Sequence, residues 1–284
     1  MPLRPYPLAN LLSALAPGLP LSHFLFHPVT TLRFRAGAEA EAFCGDAYQA
    51  QSVIERYQRQ PAADANQAIG AYTIRQLAAF QHVWLALGQP ASLRILDFGG
   101  ALGSHFHAIA AHFPWCRLQW VVCETTAVAT AGSSGFTFDK PNGSTLRFSD
   151  KAAEVFANCI DLVFASSSLQ YLEHWPQMLQ AFRAVPWLLL DRVPLIDHPT
   201  DLFCVQVVPA SYFDARLPMV IFSASSWLSF LNFLGFHQLI RWQVPEDGLQ
   251  ILDLATGEYR WELNTNHGIL LRNASSASLL PTVF

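Results

Sequence analysis

Asp97, Gly99, Gly100, Gly103 and Glu124 are the residues whose types and spacing bear most directly on chemistry. They lie in LRILDFGGALGSHFHAIAAHFPWCRLQWVVCE, residues 93–124. Asp97 is the single acid near the end of an apolar run. The glycines can turn the backbone sharply and let it approach a ligand without a Cβ clash. Glu124 stands 21 positions after Gly103, at the distance where an acid accepts hydrogen bonds from ribose hydroxyls. Ser104, just after the last glycine, can cap a helix. The free N–H groups and positive dipole end of that helix suit a carboxylate or phosphate.

The elements that must position these residues follow from the pattern around them. Residues 93–98 read as a buried strand. Phe106, Ile109, Ala110 and Phe113 recur on one helical face, and Pro114 stops that helix. Residues 118–123 form a second apolar run that ends on Glu124. Strand, glycine turn, helix, strand and acid together make the first βαβ unit of a nucleotide-binding α/β domain.

A dinucleotide fingerprint ending at Gly103 needs a glycine at position 98, which is Phe98, and no Gly-Lys-Ser/Thr follows to make a P-loop. The order Asp97-Phe98-Gly99-Gly100-Ala101-Leu102-Gly103 instead resembles the S-adenosylmethionine loop of class I methyltransferases, with Ala101 in place of the middle glycine. ILDFGGALGS, WVVCE, DLVFASSSLQYLEHWP and LLLDRVP together resemble a family of methyltransferases linked to surface-polysaccharide gene clusters. The match is good over about residues 70–195 and poor at both ends. The resemblance implies a mostly parallel Rossmann-like sheet of about seven strands with helices on both faces. It also implies S-adenosyl-L-methionine as cofactor and a sugar or other small polar acceptor.

Cofactor contacts are then expected from Asp97, Gly99, Gly100, Ala101, Gly103, Ser104 and Glu124. A branched side chain at Gly99 is expected to fill the space the cofactor needs. Asp150, after a third strand at 146–148, can cap a helix over 151–158, and the resemblance implies a contact to the adenine amino group. Ser166 ends a fourth strand, 159–165, and opens onto the same crevice, because ligands in open α/β sheets bind beyond the carboxyl ends of the strands. Tyr171, Glu173 and His174 follow on that side and are candidate proton acceptors. His105, in the first turn of a helix, is a further candidate, its neutral form favoured by the dipole. Arg192, after a fifth strand at 187–190, can steer an anionic acceptor or pair with Asp191.

Composition sets the outer limits. Hydrophobic residues make up 52% and charged residues 13% of 284, enough for a large core and too apolar for disorder. A net charge of -4 gives no electrostatic case for nucleic acid. So few charges leave apolar surface for a partner, and a homo-oligomer is one form that could take. The five cysteines are scattered without a C-x-x-C pair, against a zinc site or a disulfide framework and in keeping with the cytoplasm. Prolines at 2, 5, 7, 17 and 20 interrupt the apolar N-terminus, which does not read as a signal peptide. Residues 217–240 are long enough to span a bilayer, but Pro218, Asn232, Gly235 and His237 fit a buried strand-helix-strand better, so no transmembrane segment is expected.

Residues 1–68 are expected to form an N-terminal extension or helical cap, with short helices at 36–43 and 47–60. Residues 69–284 are expected to form the cofactor-binding domain. Residues 71–87 read as a helix with an aromatic stripe, 125–142 as a Gly/Ser/Thr-rich loop, and 249–264 as a hairpin around Thr256-Gly257. The leading reading is a methyltransferase without a metal. A methyltransferase fold kept as a non-catalytic binding or scaffold protein is the first rival. An NAD(P)-dependent oxidoreductase is the second, disfavoured by Phe98 and by the absence of a Tyr-x-x-x-Lys motif.

Overall fold

A computed structural model describes residues 30–34, 37–44, 55, 71–140, 142–156, 159–208, 215–253 and 258–274. Five parallel strands form its centre: β2 (Ser92–Phe98), β3 (Arg117–Cys123), β5 (Thr145–Ser149), β6 (Leu162–Ser166) and β7 (Trp187–Val193), in the order β5-β3-β2-β6-β7. The hairpin of β11 (Phe236–Asp253) and β12 (Glu258–Asn273) follows, with β12 antiparallel to β7 and β11 outside it. The two-residue β4 (Phe138–Asp139) pairs antiparallel on the far edge.

Successive side chains of a strand point to opposite faces, and here both faces are apolar. Leu93 and Ile95 of β2, Leu162 and Phe164 of β6, and Trp187 and Leu189 of β7 enter one core; Leu96, Val163, Ala165, Leu188 and Leu190 enter the other. The first core is covered by α2 (Ala71–Ala86), through Ala79, Phe80 and Val83, and by α3 (Ser104–His112), through Phe106 and Ile109. The second is covered by α6 (Trp175–Phe182), through Leu179 and Phe182, and by α7 (Ala224–Phe233), through Trp227 and Leu231. Burial on both faces explains why these strands read as continuous apolar runs. Tyr72, placed on the helical stripe from sequence, has a side chain outside the described residues.

Among the described residues the sheet has twelve strands rather than about seven. Beyond β11 it continues through β1 (Thr30–Phe34), β9 (Leu202–Val208), β10 (Ala215–Ser223) and the short β8 (Leu195–Ile196). The outer part of β11 carries this extension, pairing parallel to β1 from Gln250 to Asp253. Between Pro245 and Leu249 the β11–β12 register shifts, the kind of irregularity that bends a strand and raises its twist. Helix α1 (Gly37–Cys44), expected from sequence, packs on β9 and β10. Leu202, Cys204, Met219, Ile221, Ile251 and Leu263 form the extension's own core. The expected helix at 47–60 and the turn at 254–257 lie outside the described residues, apart from Glu55.

Residues 125–142 are not a loop throughout. Helix α4 (Thr126–Gly135) occupies most of them. Val128 packs with Leu102, flanked by Ala127, Ala131 and Phe136, and a Cβ on Gly132 would lie 2.4 Å from the Phe148 ring. Ser134 donates to the Thr130 carbonyl at 2.8 Å, so its hydroxyl is satisfied within the helix instead of breaking it. The helix after β5 is α5 (Ala152–Phe156); residues 157–158 of the expected helix lie outside the described residues. Among the described residues no helix is long and apolar enough to cross a membrane; residues 217–240 form β10, α7 and the start of β11.

Candidate functional site

At the carboxyl end of β2 the chain turns through Gly99 (φ 72°), Ala101 (φ 50°) and Gly103 (φ 83°) into α3. Gly99 N–H donates to the Cys123 carbonyl at 2.9 Å and Gly103 N–H to Gly100 at 3.0 Å, which pins the turn over the ends of β2 and β3. Gly103 is the N-cap in a left-handed conformation. Ser104, expected to cap, is the exposed first residue of the helix and makes no capping bond. Ala101 also adopts the left-handed conformation, so the residue that departs from the glycine pattern has a strained backbone.

The glycines answer to protein atoms rather than to open space. A Cβ on Gly99 would sit 2.5 Å from Ser168 Cβ, one on Gly100 2.3 Å from Asp97 Oδ2, and one on Gly103 2.7 Å from Leu146 Cδ2. This corrects the reason expected for Gly99: a side chain there meets Ser168 at the end of β6 first.

Asp97 is fully buried beneath the turn. Trp120 Nε1 donates to its Oδ2 at 3.0 Å, and His105 Nδ1 lies 3.2 Å from the same oxygen and 3.4 Å from Oδ1. Burial works against the charged form of His105, but Asp97, with a lesser contribution from Asp191, outweighs it and raises the imidazole pKa. The acid is thus a structural anchor for turn, strand β3 and helix α3 at once.

Glu124 follows β3 and reaches back to the turn. Its Oε1 accepts from Ala101 N–H at 3.1 Å and its Oε2 from Thr125 N–H at 3.0 Å. Burial raises its pKa against the lowering effect of those two bonds. Each carboxylate oxygen has two acceptor positions, so one remains on each for a ligand hydroxyl. Beside it the Thr125 hydroxyl is buried without a hydrogen-bond partner, and so is the Ser168 hydroxyl against Gly99. Orphaned buried hydroxyls are uncommon. Two of them flanking the turn, with the open positions on Glu124, fit a polar nucleoside-type group there.

Asp150 follows β5 directly and accepts from Thr126 Oγ1 at 2.9 Å. It does not cap the next helix, whose start is served by Ser149 Oγ accepting from Lys151 N–H at 3.1 Å. Ser166 is the last residue of β6, 6% exposed, in register with Asp191. The fifth strand is longer than expected, running through Asp191 and Arg192 to Val193. Asp191 stays inside because Gln76 of α2 donates to its Oδ2 at 2.8 Å. Burial raises its pKa, partly offset by Gln76. Arg192 is half-buried with φ 55°.

The other candidates lie apart from the turn, in the 3-10 segment after β6 (Leu169–Tyr171) and the residues after it. The Tyr171 hydroxyl donates to Gln206 Oε1 on β9 at 2.7 Å. Glu173 and His174 are exposed and face each other at 3.5 Å. Ala40 and Glu41 of α1, Tyr171, Glu173, Phe203 and Met219 line a small pocket between the extension and this segment. The structure therefore gathers Asp97, Gly99, Gly100, Ala101, Gly103 and Glu124 at one strand end, and places Tyr171 and Glu173 on a neighbouring pocket.

Sequence reasoning missed Gln76, Trp120, Thr125 and Ser168. Signals for two of them exist. An acid inside an apolar strand needs a buried donor, and Trp120 is the one polar-tipped residue in the inner part of the adjoining strand. Gln76 is the polar residue nearest the buried face of its helix.

The order β5-β3-β2-β6-β7, closed by an antiparallel strand and a further outer strand, makes a Rossmann-like α/β sheet with a parallel centre. No protein-family model matches the sequence, and no curated protein matches it. Among solved structures it is similar to the 1,6-didemethyltoxoflavin-N1-methyltransferase of Burkholderia thailandensis, with bound 1,6-didemethyltoxoflavin and S-adenosylhomocysteine. That match has 14% identity and a TM-score of 0.46, covering 88% of this chain and 93% of that one. The N-terminal domain of EvdMO1, determined in the presence of S-adenosylhomocysteine and D-fucose, matches at 13% identity with a TM-score of 0.42, covering 79% of this chain and 96% of that one. The CcbJ methyltransferase of Streptomyces caelestis matches at 13% identity with a TM-score of 0.43, covering 81% of this chain and 99% of that one.

Proposed function

We propose that the chain is an S-adenosylmethionine-dependent methyltransferase acting on oxygen of a sugar or another small polar acceptor. The observation that carries the cofactor reading is the meeting of Glu124 with Ala101 N–H, which brings the acid after the second strand onto the glycine turn. The acceptor class rests on the family resemblance of the strand-end segments.

Bound S-adenosylmethionine supplies an activated methyl group. The chain's own residues bind and orient. Glu124 takes ribose hydroxyls on its two remaining acceptor positions, and Thr125 and Ser168 offer hydroxyls beside the turn. Asp150 and Ser166 border the same strand ends. Arg192 steers an anionic acceptor, and the pocket of Tyr171 and Glu173, with His174 at its edge, receives it and takes its proton. In this reading the N-terminal extension caps the acceptor side, supported by α1 on that pocket. The protein works in the cytoplasm, and a homo-oligomer fits its sparsely charged surface.

A non-catalytic scaffold is the second reading. The contacts that a Cβ on Gly99, Gly100 or Gly103 would make with Ser168, Asp97 and Leu146 favour it, because internal packing alone would preserve these glycines.

Calorimetric titration with S-adenosylhomocysteine, with NAD as control, separates the readings. Micromolar binding of the first alone supports the cofactor, and Glu124→Ala then weakens it by about 1–3 kcal/mol. Binding of NAD alone makes the chain an oxidoreductase. Binding of neither leaves the scaffold. Transfer of labelled methyl to an acceptor then distinguishes an enzyme from a protein that only holds the cofactor.

A further inference from the structure

Among the described residues, His105 is the imidazole that meets Asp97 in the floor of the glycine turn. Its Nδ1 faces Asp97 at 3.2 Å, so Nδ1 carries the proton and Nε2 is left for the other side of the ring. The ring stands edge-on to Phe164 of β6, centroids 4.8 Å apart. The other charged groups acting on it are Asp191 and Arg192 at the end of β7, with Asp191 held by the uncharged Gln76. Trp120 occupies the remaining side of Asp97. About 23% of the His105 side chain remains accessible. Loss of one proton from this ring therefore makes the buried floor one unit more negative, at a place where Asp97 and Asp191 are already unable to reach water.

Resting on the cofactor reading above, we infer that the His105–Asp97 pair weights the site between the sulfonium and thioether forms of the cofactor. S-adenosylmethionine and S-adenosylhomocysteine share adenine, ribose, ammonium and carboxylate. They differ by one methyl group and one positive charge at sulfur. Protonated His105 opposes the sulfonium and leaves the thioether unaffected; neutral His105 exposes the Asp97 charge to the sulfonium. Product retention thus grows as the pH falls through the His105 midpoint. At an effective dielectric of about 20, a change of one unit charge near a bound cation changes its affinity on the order of tenfold.

The coupling must be reciprocal, which supplies a readout independent of turnover. In full-length protein with labelled histidine, the His105 signal is assigned by its loss in His105→Gln. It is then followed by NMR from about pH 5 to about pH 9 in saturating S-adenosylmethionine and in saturating S-adenosylhomocysteine. The expected midpoint is lower in the sulfonium complex, by about the same tenfold. Calorimetry on the parent gives the matching result: the ratio of the two dissociation constants shifts about tenfold over that range. In folded His105→Gln, checked by thermal melting, the ratio stays flat. Equal midpoints in the two complexes overturn the inference and leave the cofactor reading standing. Failure of both ligands to bind overturns both together.

Discussion

Gly100→Ala isolates the role of Asp97 most sharply. Gly100 does not have a positive φ, so alanine meets no backbone objection there. The obstacle is steric: the new Cβ would lie 2.3 Å from Asp97 Oδ2, 2.4 Å from Cγ and 2.7 Å from Oδ1. Asp97 cannot step aside without leaving Trp120 at 3.0 Å and His105 at 3.2 Å. Overpacking of this kind costs about 1–3 kcal/mol, and a weakened bond to a charged buried group adds about 1.5–3 kcal/mol. The expected loss is about 3–5 kcal/mol, a fall in Tm of roughly 10 °C at this chain length. Denaturant melts of Gly100→Ala, Asp97→Ala and the double variant form the test. Removing the carboxylate opens the space the new methyl needs, so the double variant should be more stable than the sum of the singles, by about 2 kcal/mol. Gly88→Ala is the control. Its φ is 77° and nothing lies within 4 Å of its Cβ direction, so it should cost only the left-handed penalty of about 1–2 kcal/mol. A Gly100→Ala loss below about 0.5 kcal/mol, or strict additivity with Asp97→Ala, would refute the clash and the anchoring role of Asp97.

Gln76→Leu should destabilise by about 1.5–3 kcal/mol near neutral pH, by leaving Asp191 buried with one donor fewer. Burial already raises the Asp191 pKa, so the folded form holds its proton more tightly than the unfolded chain. Denaturant melts should show the variant's deficit growing as pH rises through that raised value and shrinking at acid pH, where the carboxyl is neutral. His267 runs the other way. Burial, then Arg241, pushes its pKa down to about 4, with Arg241 Nε 3.3 Å from its Nδ1. The stability it lends is complete above the ordinary imidazole value of about 6.5 and is lost as pH falls toward 4. The full difference corresponds to about 3 kcal/mol, which screening at this partly exposed ring reduces to about 1–2 kcal/mol. His267→Gln should flatten that part of the stability curve, and an unchanged acid slope counts against the contact.

The central sheet was legible because a parallel strand buried on both faces is mostly apolar, and residues 93–98, 118–123, 162–166 and 187–190 are, with Arg94, Asp97, Gln119 and Ser166 as the polar exceptions. The glycine turn and Glu124 were legible for a related reason, since few residue types tolerate a left-handed backbone over a strand end. Helix α4 was not. Its serines, threonines and glycines carry turn chemistry, and only packing of Val128 on Leu102 and of Gly132 on Phe148 decides for the helix. Residues 203–208 read as a strand from sequence, but the extension as a whole was missed because β1 joins β9 by long-range pairing that no local period records. Asp191 and Arg192 were read as the residues beyond a strand, since charge normally ends a buried one. The partner that keeps Asp191 inside, Gln76, is 115 residues away.

β11 and β12 tie the two halves of the sheet together. Near Phe236 and Asn273 they close the central sheet against β7, and from Gln250 to Asp253 β11 carries the extension on β1. The β9–β10 ladder therefore hangs, through β1, from the same hairpin that closes the central sheet. It packs beside the 3-10 segment of Gln170 and Tyr171. The hydrogen bond from Tyr171 in the strand-end segment to Gln206 in the extension lies beside the pocket that Tyr171 lines with Glu41, Glu173 and Met219. A chain built this way links the pocket proposed to receive the acceptor to the Asp97 floor through continuous backbone pairing, which is what the proposed alignment of an acceptor with a transferable group requires.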